Sequence, residues 1–187
     1  MKYPRMLHLC GGIAALALLL MIGSPLLRAQ TTDSEQISKL FTDARSYALL
    51  AETDADRLDS YTRSSLAWQT HAAQLTAIKE NVNELGKIHK QLSDLRPEGS
   101  PWQQEAIDRI EPLLRDMADN LTATINHLNE HKNQVNMQPY RDYAHANYEL
   151  ASRTAALISD IVEYDKSKSR AQSLEKSLEL PASGQSQ

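Results

Sequence analysis

"LDSYTRSS", residues 58–65, decides how many helices this chain has. Nothing between Ser34 and Gly86 is glycine or proline, so the octapeptide carries no strong turn signal. Taken as helix, it leaves a single element from Ser34 to Leu95, roughly 90 Å long at about 1.5 Å per residue. The periodic stretches further along, about 35 residues each, span only about 50–55 Å by the same rise. Half of the long helix would then lack a partner. Taken as a turn, the octapeptide gives four helices of comparable length. The chain therefore reads as all-α, an antiparallel up-down four-helix bundle, with a three-helix bundle built on one long first helix as the alternative.

Outward from that turn, apolar residues keep helical time. Trp68, His71, Leu75, Ile78, Val82, Leu85, His89 and Leu92 are spaced three and four apart in alternation. Ile107, Ile110, Leu114, Met117, Leu121, Thr124, Leu128, His131 and Val135 follow the same rule, as does the run from Tyr140 through Asn147 and Ile158 to Asp165. Sustained three-four spacing marks helices that pack side by side at small crossing angles. Second rows at Leu113, Ile125, Leu150 and Leu157 widen the apolar stripe beyond a two-stranded seam and favour a globular bundle. The first helix shows a smaller face: Ile37, Leu40, Ala44, Ala48, Ala51, Ala55 and Leu58, capped by Asp33 or Ser34. No stretch alternates apolar and polar residues, so no strand is expected.

The joints carry their own chemistry. In "RPEGSPWQQ", residues 96–104, Gly99 ends one helix, Ser100 caps the next, Pro101 takes the first helical position and Gln103 the capping-box position. Pro139 opens the last helix, and Pro112, inside a periodic run, predicts a kink without a break. Residues 30–175 make one bundle domain, and 176–187 a small, polar, flexible tail.

The first 29 residues have a different composition. Lys2 and Arg5 precede the unbroken apolar run Ile13–Ile22, then come Gly23-Ser24-Pro25 and Ala29. A charged start, a short apolar middle and a small residue at the end are the parts of a cleavable signal peptide. A spanning helix needs about 20 apolar residues, and Pro25 would break it. An extracytoplasmic protein, periplasmic or secreted, is expected; an uncleaved N-terminal tether is the alternative. Cys10 is the only cysteine and lies within this segment, so residues 30–187 must be stable without disulfides.

Charge narrows the partners. Residues 1–29 hold three basic side chains and no acid, so the remainder carries 17 basic and 24 acidic side chains, a formal charge of −7. That balance disfavours nucleic acid, whose binding rests on neutralising phosphates, and anionic membranes. No stable membrane insertion is expected after cleavage.

Signatures of chemistry are scarce. The chain has no CxxC, no HExxH, no glycine-rich phosphate loop and no Glu-x-x-His pair, and no nucleophile–base pair can be named. His127 and His131, four apart in "HLNEH", could share a zinc ion but lack further ligands. The sequon Asn120-Leu121-Thr122 falls mid-helix, and Lys166, Lys168 and Arg170 read as compensation of a helix dipole.

Folding the pattern back on itself points to one end of the bundle. A fold about residues 97–98 sets His71 level with Thr124; a second about 137–138 sets His131 level with Ala144 and Leu128 level with Asn147. Trp68, His71, His131, Tyr140 and Asn147 then gather within roughly 10–15 Å along the axis. The other end, with Leu85, Leu92, Ile107, Ile110, Ile158 and Ile161, reads as dry. Polar seam residues most simply set register, each with a hydrogen-bond partner. Alternatively they line a small-ligand or peptide groove, or a haem site with Met117 or Met137 as ligand. The expectation is a non-enzymatic bundle without cofactor that binds a protein partner or itself, and a small-ligand, metal or haem carrier is the alternative.

Two measurements check the processing. Intact mass of the exported protein should correspond to a chain starting at Gln30, and its thermal midpoint should not move with reducing agent. Full-length protein in the membrane fraction would contradict cleavage.

Overall fold

The computed structural model describes residues 33–178. The expected signal peptide and residues 179–187 of the expected tail lie outside the described residues. Four helices run up and down: α1 (Glu35–Tyr61), α2 (Trp68–Leu95), α3 (Pro101–Glu130) and α4 (Gln138–Ser177). A single 3-10 turn, Arg96–Glu98, links α2 to α3. Each helix packs on its two neighbours in the square, α1 against α2 and α4, α3 against α2 and α4. No strand occurs among the described residues.

The octapeptide is a turn, and hydroxyl groups make it one. Helix α1 ends at Tyr61. The Thr62 hydroxyl, buried, donates to the Asp59 carbonyl (2.7 Å), and the Ser64 hydroxyl to the Tyr61 carbonyl (2.7 Å). Backbone N–H groups of Thr62, Arg63 and Ser64 reach the carbonyls three residues back. The last carbonyls of α1 are thereby satisfied without glycine, through the local side-chain bonding that makes serine and threonine poor in helix interiors. Arg63 also forms an ion pair with Asp59.

The seams meet in one core. Ile37, Phe41 and the alanine row of α1 pack with Leu75, Ile78 and Leu85 of α2, Ile107 and Ile110 of α3, and Ala151 and Ile158 of α4. Two members of the expected seams fall elsewhere. His89 is only half-buried and its neighbour Ile88 takes the inward position. Helix α3 ends at Glu130, not Val135; His131 is its C-cap, and Val135 plugs the core from the following loop. Pro112 sits within α3 without breaking it. It lies on the exposed side, where water can serve the carbonyl that its missing N–H leaves free.

Lengths are less equal than expected. Helix α4 has 40 residues against 27, 28 and 30 for α1, α2 and α3. Its helical conformation continues to Ser177, past the expected domain boundary at 175.

Two glycines give opposite expectations. Gly86, mid-α2, faces open space, so Gly86→Ala should raise stability by about 0.5–1 kcal/mol through reduced chain entropy. At Gly99 an added Cβ would stand 2.9 Å from Ile37 Cδ1 and 3.3 Å from the Arg96 carbonyl oxygen. Gly99→Ala should therefore cost about 1–3 kcal/mol by overpacking. Denaturant unfolding of both variants checks the signs.

Candidate functional site

At one end of the bundle the first turns of α2 and α4 bring His71 and Tyr140 inside, each almost wholly removed from solvent. Their rings meet edge to face with centroids 5.4 Å apart, and Tyr61 of α1 closes on His71 at 6.0 Å. His127 of α3 stacks on Tyr140 at 6.1 Å and touches Tyr143 at 5.3 Å. Below this aromatic layer Asn147 donates from Nδ2 to Thr124 Oγ1 (2.6 Å) and to the Tyr143 carbonyl (3.0 Å). Thr124 donates in turn to the Asn120 carbonyl (2.7 Å). Helices α3 and α4 are thus locked in register by a satisfied polar pair.

Of the five residues expected here, three are buried: His71, Tyr140 and Asn147. Trp68 is half-buried at the rim, with the Lys132 ammonium 4.6 Å from its ring centroid. His131 departs from expectation. It caps α3, is exposed and rests against His127 at 4.6 Å. The cause is the early end of α3, which moves the fold-back to about residues 135–136 and sets Thr124, not Leu128, beside Asn147. His127 takes the inward place meant for His131. Its place three residues before the true end of the helix could have revealed this, had that end been legible.

Burial without pairing sets the electrostatics. Neither ring nitrogen of His71 and not the hydroxyl of Tyr140 has a hydrogen-bond partner, contrary to the expected partner for each seam residue. Desolvation pushes the His71 imidazolium below its ordinary range and the Tyr140 phenol above its own. The ring also lies in the first turn of α2, where the helix dipole disfavours a cation. Both groups are held neutral. Among the described residues no three His, Cys, Asp or Glu side chains converge to hold a metal ion. Four surface hollows among the described residues are lined by other side chains than His71, Tyr140 and Asn147.

The opposite end is not dry. Gln103, wholly buried, accepts on Oε1 from the backbone N–H groups of Ser34 (2.9 Å) and Ser100 (3.1 Å). Its amide donates to the Ser34 carbonyl (3.0 Å), so one side chain ties the start of α1 to the start of α3. Trp102 Nε1 donates to Asp33 (2.6 Å), and Lys168 reaches the same carboxylate (2.7 Å) while lying 5.5 Å from the indole centroid. Burial pushes the Asp33 carboxyl up, but Lys168, Ser100 and Trp102 outweigh it and hold it below the usual range. Its contribution is present above about pH 4 and fades as acid protonates it. Ser34 is the cap of α1, its hydroxyl accepting from the Ile37 N–H (3.5 Å). Lys168 is therefore an ion-pair partner and not merely dipole compensation; Lys166 likewise faces Glu163 (3.3 Å).

Between α3 and α4, next to this second cluster, lies a groove of about 330 Å³ lined by Trp102, Arg109, Leu157, Asp160, Ile161 and Tyr164 among others. No motif in the sequence marks these residues as functional. The signal was present only as two aromatic residues, Trp102 and Tyr164, at the corresponding ends of two seams.

Unpaired buried polar atoms make the fold sensitive to mild acid. A histidine whose folded pKa is depressed takes up its proton more readily when unfolded, so stability falls as pH drops below about 6.5. His71→Leu should abolish part of that slope between about pH 5 and 6.5 and leave stability at neutral pH unchanged or higher. Tyr140→Phe should gain on the order of 1 kcal/mol. Melting curves across that range test both; a loss of several kcal/mol in either variant would mean that these atoms have partners after all.

No protein family, curated protein or solved structure matches this chain.

Proposed function

We propose that this chain is an extracytoplasmic, non-enzymatic helical bundle that acts by contact with another protein or with a second copy of itself. The observation that carries the reading is the far half of α4 with its C-cap, which leaves Tyr164, Leu174 and the capping Leu178 at 53%, 52% and 64% exposure. Scattered apolar surface residues are normal, but an aligned set beside an apolar groove is the usual mark of an interaction site. The polar side chains that could have done chemistry are spent internally: Asn147 on Thr124, Gln103 on Ser34 and Ser100, Lys168 on Asp33. The leader-like composition of residues 1–29 supports the compartment.

A second reading, a small-ligand, metal or haem carrier working at the other end, has one observation in its favour. The ring nitrogens of His71 and the hydroxyl of Tyr140 are buried and unpaired, and such atoms call for an explanation.

A photoreactive side chain at Leu174, introduced in intact cells, should yield protein adducts. The same group at Thr76, exposed on α2, should yield none. Purified protein that carries a metal or chromophore and gives no adduct from Leu174 would transfer the reading to the carrier.

A further inference from the structure

The two ends of the bundle are held differently. Where α1 and α3 begin, the Ser34 hydroxyl caps α1, and Gln103 accepts from the Ser100 N–H at the start of α3. Where α2 and α4 begin, Ala67 and Met137 make no capping hydrogen bond. Within residues 63–73 His71 alone is buried; Trp68, Thr70 and Ala72 are half-buried and the rest exposed. Among the described residues, 65–73 make no hydrogen bond or ion pair to α1, α3 or α4. The Lys132 ammonium over the Trp68 ring, at 4.6 Å, is their one charged contact. The start of α2 is thus anchored through a ring whose own nitrogens have no partner.

We infer that this end of the bundle opens by protonation: when His71 takes up a proton, residues 63–73 swing out and bare the aromatic layer of Tyr61, Tyr140 and His127, while the remainder stays folded. Nothing that faces the ring can hold a charge there. Helix α1 presents Tyr61 and α4 presents Tyr140, both phenols. His127 of α3 stands behind Tyr140 and offers only a second imidazole. The Asp59 carboxylate, at the same end, is shared between Arg63 and His145 Nδ1 (3.6 Å). Burial alone displaces the His71 titration, downward, and no carboxylate offsets it. An imidazolium must therefore reach water, and the segment that carries it is the one least tied to its neighbours. Polar bonds just inside the layer limit the opening. Gln74 Nε2 donates to the Asp54 carboxylate (2.9 Å) and Asn147 Nδ2 to Thr124 Oγ1 (2.6 Å), and mild acid charges none of these donors. His145, once protonated, pairs with Asp59 and with Glu149 (3.5 Å) and ties α1 to α4 more firmly, so α2 and not α1 is released.

Opening takes up a proton, so the open fraction rises as pH falls below the ordinary imidazole value of about 6.5. Hydrogen exchange of the whole protein reads this directly. Amides of residues 71–73, whose helical partners lie in the 67–69 turn, should lose about fivefold of their protection between about pH 7 and 5.5, after correction for intrinsic exchange. Local release also makes them exchange at least about a hundredfold faster than the amides of residues 154–158 in the α4 core, at every pH. His71→Gln and His71→Leu should each flatten the pH dependence at 71–73, and whichever folds as the wild type does serves the test. His127→Gln should retain it. Exchange at 71–73 that ignores pH overturns the inference, because simple fraying of a helix start needs no proton. So does a pH response that survives substitution of His71 or vanishes with His127. One protection common to 71–73 and 154–158 also overturns it, since the whole bundle would then be unfolding.

Discussion

How closely α1 can approach its neighbours governs the rest of this bundle. Its inward row of Ala44, Ala48, Ala51 and Ala55 presents almost no side-chain bulk, and all four are buried. Interaxial distance follows the side chains at the contact, so α2 and α4 draw in tightly around α1. Helix α3 turns inward the bulkier row Ile107, Ile110, Leu114, Met117 and Leu121, and meets α2 and α4 less closely than α1 does. Hollows consequently open on both flanks of α3, one toward α2 beside Val82 and Ile125 and one toward α4 beside Leu157 and Tyr164. The two hollows beside α3 thus reflect four methyl groups on the far side of the core.

Polar groups then determine which of several similar packings is adopted. An apolar four-helix seam tolerates a slip of one turn at little cost, and a buried polar pair removes that freedom. Asn147 with Thr124 fixes α4 on α3; Gln103 fixes α3 on α1; Gln74, donating to Asp54 (2.9 Å), fixes α2 on α1. His71 and Tyr140 are different in kind. They fill space with aromatic area while their polar atoms go without partners, which the fold tolerates because both rings are neutral.

Helix number, order and core face were legible in the sequence because three-four spacing is a local property of the chain. Register was not. The stretch from His131 to Met137 contains neither glycine nor proline, and Val135 continues the spacing, so nothing marks the end of α3 at Glu130. Five extra residues assigned to a helix slide its partner by a full turn, which is why His131 was placed where His127 stands. Gln103 was visible as a capping residue, but its bonds to Ser34 cross 69 positions and leave no local trace. The α3–α4 groove was hidden for a related reason. It arises from the difference in bulk between α1 and α3, which no single segment records.

The Asp33–Lys168 ion pair lies where the chain enters α1 and where α4 leaves the bundle. These adjacent, antiparallel helices are thus loaded from the same end by any tension on the two termini. Force in that direction acts on one contact at a time, first the Asp33–Lys168 pair with its Trp102 hydrogen bond, then Arg45 with Glu163, then the alanine row. Such a geometry unzips and does not shear. As a mechanical element the domain is compliant along its terminal axis, however high its stability to heat.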